Sequence, residues 1–346
     1  MRVDIGRVPA AQFEEPVAAH RSDFRVAGVS IEVSGQHGRD VTLASSLEPF
    51  RTGTRPSDIR IQVDWTDFFR PARGRKLFDS GSVWRLYEDG NGFQFDFCAP
   101  VLGEQPYKRL MVDEYFRSAT LQMNERYFAS AEYVPAPLDY PLDELLVMHR
   151  LTQEKAIELH SCGIVRPDGT GNLFVGHSGA GKSTTTRLWT AREDVEVLSD
   201  DRIIVRRDER AVETPRHATD AAGKHEVLRL RDRSASPTGH FAQDDRKKMR
   251  MYGTPWHGEA MYASPGSAPL ARIFILEHGH GNVLTQLSPS QAVAELFARS
   301  FVPFHRHEYV DSALQFLQEV VDAVPCYRYA FEPNDGAVER ILEFRD

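Results

Sequence analysis

The segment from Gly176 to Ser183 constrains the fold of this chain more than any other. Its residues are Gly-His-Ser-Gly-Ala-Gly-Lys-Ser, a complete match to the pattern G-x-x-x-x-G-K-[ST]. An apolar run, Leu173 to Val175, precedes the segment, and a helix-forming run, Thr184 to Trp189, follows it. Glycines let successive backbone N–H groups turn inward at a helix N-terminus, where they bind anions. The sequence therefore predicts a strand, a phosphate-binding loop and a helix, in that order.

Each residue type in this loop has a separate predicted task. The Lys182 ammonium is expected to reach the β- and γ-phosphates of a nucleotide, and the Ser183 hydroxyl to coordinate magnesium. The predicted phosphate-binding residues are Gly176, His177, Ser178, Gly179, Ala180, Gly181, Lys182, Ser183 and Thr184. The alternative, a chance match in a turn rich in Gly and Ser, is disfavoured by the strand and helix patterns on either side.

A pair of carboxylates follows the next apolar strand. Asp200 and Asp201 come directly after Val195 to Ser199, close enough in sequence for that strand to lie near the loop. A site of this kind needs a carboxylate on a neighbouring strand to hold the metal ion. The pair is thus predicted to complete the site. A polar turn between Leu198 and Ile203 is the alternative.

Residues 1–135 have the pattern of a β-rich region. Four runs alternate apolar with polar residues or are rich in β-branched and aromatic ones. They are Phe24 to Val33, Ile59 to Trp65, Ser82 to Tyr87 and Phe93 to Phe97. The turn residues Asp89 to Gly92 indicate a hairpin between the last two. Val134 to Pro141, rich in proline, is the predicted linker.

Residues 136–346 alternate predicted strands and helices, which indicates an α/β domain. Leu142 to Lys155 has helical spacing, as do Leu314 to Val324, and Ser288 and Gln291 form a predicted capping box. The predicted strands are Ile157 to His160, Leu173 to Val175, Val195 to Leu198, Ile203 to Val205, Ile273 to Leu276 and Cys326 to Phe331. Residues 207–250 are charged and aperiodic. They are predicted to be a mobile insertion, with a bland solvated insertion as the alternative.

Composition narrows the class of protein. The formal net charge of −8 gives no reason to expect a nucleic-acid partner. The sequence has no run of about 20 apolar residues and no signal-like apolar segment at its start, so no membrane association is expected. Three cysteines, far apart, fit a reducing compartment better than a disulfide framework. The expected location is the cytoplasm.

Taken together, these motifs resemble the catalytic domain of the HPr serine kinase/phosphorylase family and its relatives. The resemblance rests on Leu159 to Ser161, Phe174 to Thr184, Leu198 to Asp201 and Tyr252 to Glu259, and it covers about residues 140–346. It implies an α/β (α+β) P-loop kinase domain of the phosphoenolpyruvate carboxykinase-like type, here preceded by a β-rich domain. Residues 1–135 do not resemble the N-terminal domain of HPr kinases.

The resemblance also implies roles for individual residues. Lys182 and the loop amides would bind the phosphates of ATP, and Ser183 with Asp201 would hold Mg²⁺. Asp200 would take the proton from the acceptor hydroxyl, and His160 would lie beside the transferred phosphoryl group. Thr184 stands where many HPr kinases have an acidic residue, so HPr itself is not the expected substrate.

Three functional hypotheses follow. The first is a kinase that transfers the γ-phosphoryl group of ATP to Ser or Thr of a protein or peptide. The second keeps this site but has a small-molecule hydroxyl acceptor such as free serine, and the third is a nucleotide-binding regulator without transfer activity. The sequence leaves open the acceptor, a possible homo-oligomer, and ATP against GTP or pyrophosphate as donor.

Overall fold

The structure, a computed structural model, describes residues 20–345 apart from 54–55, 68, 73, 82, 91, 104, 129–135 and 208–248. The predicted mobile insertion at 207–250 thus lies almost wholly outside the described residues. Part of the predicted linker, at 134–135, also lies outside them. In the described chain, the part of the linker from Ala136 onward leads into a helix, and Ala136 and Leu138 are buried.

The first described half of the chain folds into an eight-stranded sheet of order β1-β2-β3-β8-β7-β6-β5-β4. Its strands are β1 (Arg21–Val26), β2 (Val29–Gly35), β3 (Ile59–Thr66), β4 (Arg75–Asp79), β5 (Trp84–Glu88), β6 (Gly92–Phe97), β7 (Lys108–Asp113) and β8 (Ser118–Asn124). Strand β3 is parallel to β2 and β8, whereas the other pairs are antiparallel. Short 3₁₀ segments lie at Gln36–Gly38, Ser45–Phe50 and Pro100–Leu102.

One predicted strand in this sheet is wrong. Phe24 to Val33 is a hairpin, because the chain reverses at Ala27 and Gly28, whose φ angles are 47° and 87°. Two adjacent residues with positive φ make the tight turn that suits the twist of a hairpin. The sequence pattern did not predict this turn, because its first residue is alanine and the usual turn sequence is Asn-Gly or Asp-Gly. The predicted hairpin between β5 and β6 is confirmed.

The second sheet has nine strands within the described residues, and its main path is β10-β9-β12-β13-β14-β17-β15. Its strands are β9 (Ala156–Val165), β10 (Gly171–Val175), β11 (Glu196–Ser199), β12 (Arg202–Arg207), β13 (Met249–Tyr252), β14 (Ser267–His278), β15 (Val283–Gln286), β16 (Ser300–Phe301) and β17 (Cys326–Phe331). Strand β10 lies between β9, to which it is antiparallel, and β14, to which it is parallel.

The helices are α1 (Glu125–Phe128), α2 (Leu142–Leu151), α3 (Lys182–Arg192), α4 (Pro289–Phe297), α5 (His307–Ala323) and α6 (Gly336–Glu343). The predicted capping box at Ser288 and Gln291 is confirmed at the start of α4. Helix α2 ends four residues before the predicted end at Lys155, and α6 was not predicted. None of the helices in the described part of the chain is long and apolar enough to cross a membrane.

Apolar residues cover both faces of the second sheet. Leu173 and Ile273 pack on one side with α4 and α5, whereas their neighbours Phe174 and Phe274 pack on the other side with Trp189 of α3. Successive side chains of a strand point to opposite faces, so a strand buried on both sides is a continuous apolar run. This burial fixes β10 in the middle of the protein and presents its carboxyl end to the loop that follows.

The predicted boundary at 135/136 separates the two sheets but not the two cores. Leu142, Leu146 and Val147 of α2 lie after the boundary, yet they pack into the core of the first sheet. Ile204 of β12 and Trp256 join the same cluster. Helix α2 is therefore the element through which the first sheet reaches the second.

His149 of α2 lies at the centre of this contact. Its ring stacks on Phe116 at 4.7 Å between centroids and lies 5.3 Å from the ring of His305. Nδ1 donates to the Leu145 carbonyl at 2.6 Å. Burial, and then the nearby charge of His305, lower the pKa of His149 to about 3. The folded protein thus keeps this imidazole neutral in mildly acidic solution.

We expect His149→Leu to reduce the loss of stability in acid. A histidine whose folded pKa lies below its unfolded value stabilises the protein above about pH 6.5, and that stability is lost as pH falls toward 3. The full effect, reached near pH 3, is about 5 kcal/mol, and the interval from pH 7.5 to pH 5.0 includes about 2 kcal/mol of it. Urea unfolding at pH 7.5 and pH 5.0 measures this smaller difference, with His20→Leu, an exposed histidine, as the control. An unchanged pH dependence in His149→Leu would contradict the assignment.

Candidate functional site

The predicted phosphate-binding loop connects β10 to α3, as the strand and helix patterns on either side of it indicate. Gly179 and Gly181 have φ angles of 80° and 105°, and the Ala180 N–H donates to the His177 carbonyl at 3.0 Å. No side chain in the described chain caps the N-terminus of α3. The first N–H groups of that helix, from Lys182 onward, are therefore available for an anion.

The loop is open to solvent at its tip and tightly packed at its base. His177, Ser178 and Gly179 are exposed, and Ala180, Ser183 and Thr184 are half-buried. At the base, a Cβ on Gly176 would come within 2.7 Å of the Ala180 Cβ, and one on Gly181 within 2.4 Å of the Phe331 ring. Only glycine fits at these two positions without displacing a neighbour.

Alanine substitutions at Gly181 and Gly179 should separate packing from backbone strain. Both residues have positive φ, which costs an alanine about 1–2 kcal/mol, but only Gly181 also lacks room for a Cβ. We expect Gly181→Ala to lower both the free energy of unfolding and Mg-ATP affinity clearly more than Gly179→Ala, which meets nothing within 4 Å. Urea unfolding and calorimetry measure the two effects. Equal losses in the two variants would show that Phe331 does not shape the loop.

Lys182 is buried at the base of the loop, with 6 % of its surface exposed. Its ammonium donates to the carbonyls of Gly176 at 3.1 Å and His177 at 3.3 Å. Burial lowers the pKa of Lys182, and the negative charge of Asp201, 3.8 Å away, opposes the shift. In the loop, the ammonium therefore donates hydrogen bonds to neutral carbonyl oxygens. Charged phosphate oxygens at the same place would accept stronger hydrogen bonds.

His160, at the edge of the same group, contacts both Lys182 and Asp201. Its Nε2 lies 2.7 Å from the Lys182 Nζ and 2.9 Å from Oδ1 of Asp201. One ring nitrogen either accepts a hydrogen bond from the ammonium or donates one to the carboxylate, never both at once. The position of Lys182 thus decides whether this nitrogen is occupied by the lysine or is free to hold a proton beside Asp201.

Asp201 is the carboxylate that faces the loop. Burial favours its neutral form, but the hydrogen bond from His160 and the charges of Arg202 and Lys182 outweigh this and lower its pKa. Its second oxygen, Oδ2, forms an ion pair with Arg202. Asp201 is therefore an ionised group at neutral pH, suited to hold a cation.

Asp200, the predicted base, has a different environment. Its carboxylate accepts hydrogen bonds from the backbone N–H groups of Gly258 at 3.0 Å, Ala260 at 2.9 Å and Tyr262 at 3.2 Å. Only 1 % of the residue is exposed. A carboxylate whose oxygens already hold three amides has little capacity left for a substrate proton. This arrangement argues against the base role that the resemblance implied for Asp200 and favours a structural one.

The Gly-Thr-Pro-Trp segment packs around this aspartate pair. The Thr254 hydroxyl donates to the Arg202 carbonyl at 2.8 Å, and the Trp256 indole N–H donates to Asp143 of α2 at 3.0 Å. Burial raises the pKa of Asp143 to about 6, although the hydrogen bonds it accepts oppose the shift. The segment thus ties the turn after β11 to the helix that packs on the first sheet.

A buried carboxylate pair, missed in the sequence analysis, supports Arg202. The Arg202 Nε lies 2.9 Å from Glu144 of α2 and 3.7 Å from Glu158 of β9, and its guanidinium covers the Phe301 ring at 4.1 Å. Burial, and then the charge of Glu144, raise the pKa of Glu158 well above its usual range. The available signal was a lone glutamate in the apolar strand run Ile157 to Leu159.

The loop and Asp201 offer donors of the kind that Mg²⁺ prefers. A serine hydroxyl at position 183 and a carboxylate at 201 are hard oxygen ligands, and Mg²⁺ is commonly held by one or two such groups together with substrate phosphates. No group of three or more His, Cys, Asp or Glu side chains that could hold a metal occurs among the described residues. The Ser183 hydroxyl and the Asp201 carboxylate are donors of the kind that could hold a magnesium ion together with the phosphates of a nucleotide.

No family model matches this chain, and no curated protein is similar to it in sequence. The kinase resemblance therefore rests on the motifs of the sequence alone.

Proposed function

We propose that this protein is a P-loop kinase that transfers the γ-phosphoryl group of ATP to a hydroxyl, most simply Ser or Thr of a protein or peptide. One observation carries the proposal: Lys182, His160 and Asp201 converge within 2.7–3.8 Å of one another at the base of the loop. A loop that only binds nucleotide needs the lysine and the amides. It has no need of an imidazole and a carboxylate at the same point.

Nucleotide binding would begin with an exchange of partners at Lys182. The β- and γ-phosphate oxygens replace the Gly176 and His177 carbonyls, and charge-assisted bonds to phosphate are stronger than those to neutral carbonyls. The N–H groups at the start of α3 bind the same phosphates. When Lys182 moves to the phosphates, Nε2 of His160 loses its lysine partner.

His160 is then the group that receives the acceptor proton. Imidazoles exchange protons near neutral pH, and an imidazolium at this position would be stabilised by Asp201, whose Oδ1 lies 2.9 Å from Nε2. The proposal thus moves the base from Asp200 to His160. Phosphoryl transfer needs mainly positioning and neutralisation of charge, and both are properties of this cluster.

Ser183 and Asp201 would hold Mg²⁺, which supplies charge neutralisation at the β- and γ-phosphate oxygens when bound. Arg202 fixes the second oxygen of Asp201, and Glu144 and Glu158 fix Arg202. This chain of contacts keeps Asp201 pointing at the loop. The first sheet contributes through α2, which carries Glu144.

The proposal is tested with γ-labelled ATP and Mg²⁺ in three parallel reactions. The first contains the protein alone, the second adds free serine and threonine, and the third adds a peptide library with randomised residues around Ser or Thr. Mass spectrometry of all products identifies the acceptor. Labelled phosphopeptides support the proposal, labelled free serine assigns a small-molecule kinase, and tight ATP binding without transfer in any reaction assigns a regulator.

A further inference from the structure

A buried arginine, Arg299, lies where strand β10 leaves β9 and the phosphate-binding loop begins. Strand β10 pairs with β9 up to the start of the loop, and β16 then continues along β9, with Ser300 opposite Leu159. The His160 carbonyl accepts from the Gly176 N–H at 3.2 Å, and the His160 N–H donates to the Arg299 carbonyl at 2.8 Å. Both groups of one strand residue point to the same side. Arg299 and the first residue of the loop are therefore neighbours on one edge of β9.

The charge of Arg299 also acts on the loop. This charge, and then burial, lower the pKa of His177, the exposed second residue of the loop. Charges more than about 10 Å apart are largely screened at moderate ionic strength, so the guanidinium lies close to His177. Only 9 % of Arg299 is exposed, which limits screening of its charge by water. The cation is therefore placed beside the part of the chain that is proposed to bind phosphate.

One side of the Arg299 guanidinium is held by Glu295. Nη1 donates to the Glu295 carbonyl oxygen at 2.8 Å and to the carboxylate of the same residue. Glu295, in the last turn of α4, also accepts a hydrogen bond from Arg328 of β17 at 2.9 Å. Arg328 in turn pairs with Glu277 at 2.9 Å. Glu295 would thus keep a cationic partner if the Arg299 side chain turned toward the loop.

The other side of the guanidinium has a donor to offer. Nε of Arg299 is buried and has no hydrogen-bond partner among the residues that the structure describes. Buried donors in folded proteins are nearly always satisfied, so a buried donor beside an anion-binding loop calls for an explanation. Arginine binds phosphate through two parallel N–H groups, and these charge-assisted hydrogen bonds are stronger than neutral ones. A phosphoryl oxygen is therefore a suitable acceptor for this side of the guanidinium.

We infer that Arg299 binds the γ-phosphoryl group of the nucleotide, as a second cation beside Lys182. The choice of the γ-phosphoryl group rests on the proposed function, in which His160, the backbone neighbour of Arg299, lies beside the transferred group. An arginine at this place stabilises the charge on the equatorial oxygens of that group during transfer. Lys182 and the loop amides reach the β-phosphate as well. Arg299 is thus the residue that distinguishes a nucleoside triphosphate from a diphosphate.

Calorimetry with two nucleotides tests this inference without turnover. The probes are Mg-ADP and the magnesium complex of the β,γ-imido analogue of ATP, which differ in the γ-phosphoryl group. We expect Arg299→Gln to weaken binding of the imido analogue at least tenfold and to leave Mg-ADP affinity within twofold of the parent. The control Arg192→Gln removes an arginine at the far end of α3, about 15 Å from the loop, and should change neither affinity more than twofold. Lys182→Ala should weaken both nucleotides, since the lysine reaches both phosphates.

Two results in Arg299→Gln would overturn the inference. Equal losses for both nucleotides would show that Arg299 only supports the loop, and parent-like binding of the imido analogue would show that the γ-phosphoryl group does not reach it. Arg299→Met keeps the stem of the side chain without its charge and gives the same comparison if Arg299→Gln does not fold. Absence of nucleotide binding by the parent would overturn both proposals. Absence of transfer from labelled ATP would overturn the kinase proposal alone, because the two affinities are measured without transfer.

Discussion

Replacing Lys182 by alanine should lower the affinity for Mg-ATP at least tenfold, about 1.4 kcal/mol, and should abolish phosphoryl transfer. The ammonium is the cation at the base of the loop, 3.1–3.3 Å from the two carbonyls that phosphate oxygens would replace. Isothermal calorimetry with Mg-ATP measures the affinity, and the labelled-ATP assay measures transfer.

The fold should tolerate this change. Burial lowers the pKa of Lys182, so the empty protein holds its charge at a cost, and removal of that charge should not weaken the folded state strongly. Urea unfolding of the nucleotide-free variant should give a free energy within about 1 kcal/mol of the parent. Lys76→Ala, at an exposed position, is the control for loss of a positive charge. Parent-like Mg-ATP binding in folded Lys182→Ala would remove the phosphate-site assignment.

Local patterns predicted the elements around the proposed phosphate site well. The loop, the strand before it and the helix after it are adjacent in sequence, so periodicity and glycine placement carry enough information. Strand β17 occupies Cys326–Phe331, the predicted range. In the first sheet, the Ala27-Gly28 turn was missed because it lacks the usual turn residues, and strands β4, β7 and β8 were not predicted.

The roles of Asp200 and Asp201 depend on tertiary structure. The two residues are identical and adjacent, and the sequence offers no means to tell which faces the loop. The structure separates them because the backbone of residues 258–262, almost sixty positions away, surrounds Asp200 and leaves Asp201 to His160 and Lys182.

Because the two aspartates have different surroundings, we expect their substitution to affect different properties of the protein. Asp201→Asn should reduce phosphoryl transfer by at least a hundredfold, because it removes the charge that holds the cation and stabilises the protonated His160. The fold should be largely retained, since Asp201 is partly exposed and Arg202 keeps its contacts with Glu144 and Glu158. Turnover in the labelled-ATP assay and urea unfolding measure the two effects.

Asp200→Asn should instead lower the free energy of unfolding, with a smaller effect on phosphoryl transfer than Asp201→Asn has. The amide has one acceptor oxygen in place of two, so at least one of the N–H groups of Gly258, Ala260 and Tyr262 loses its partner. An unsatisfied buried donor costs about 1–3 kcal/mol, which should appear as a lower free energy of unfolding. Transfer at saturating Mg-ATP, measured below the unfolding transition, should fall much less than in Asp201→Asn. If Asp200→Asn instead keeps the stability of the parent and loses transfer with nucleotide binding intact, Asp200 is the base after all and His160 is not.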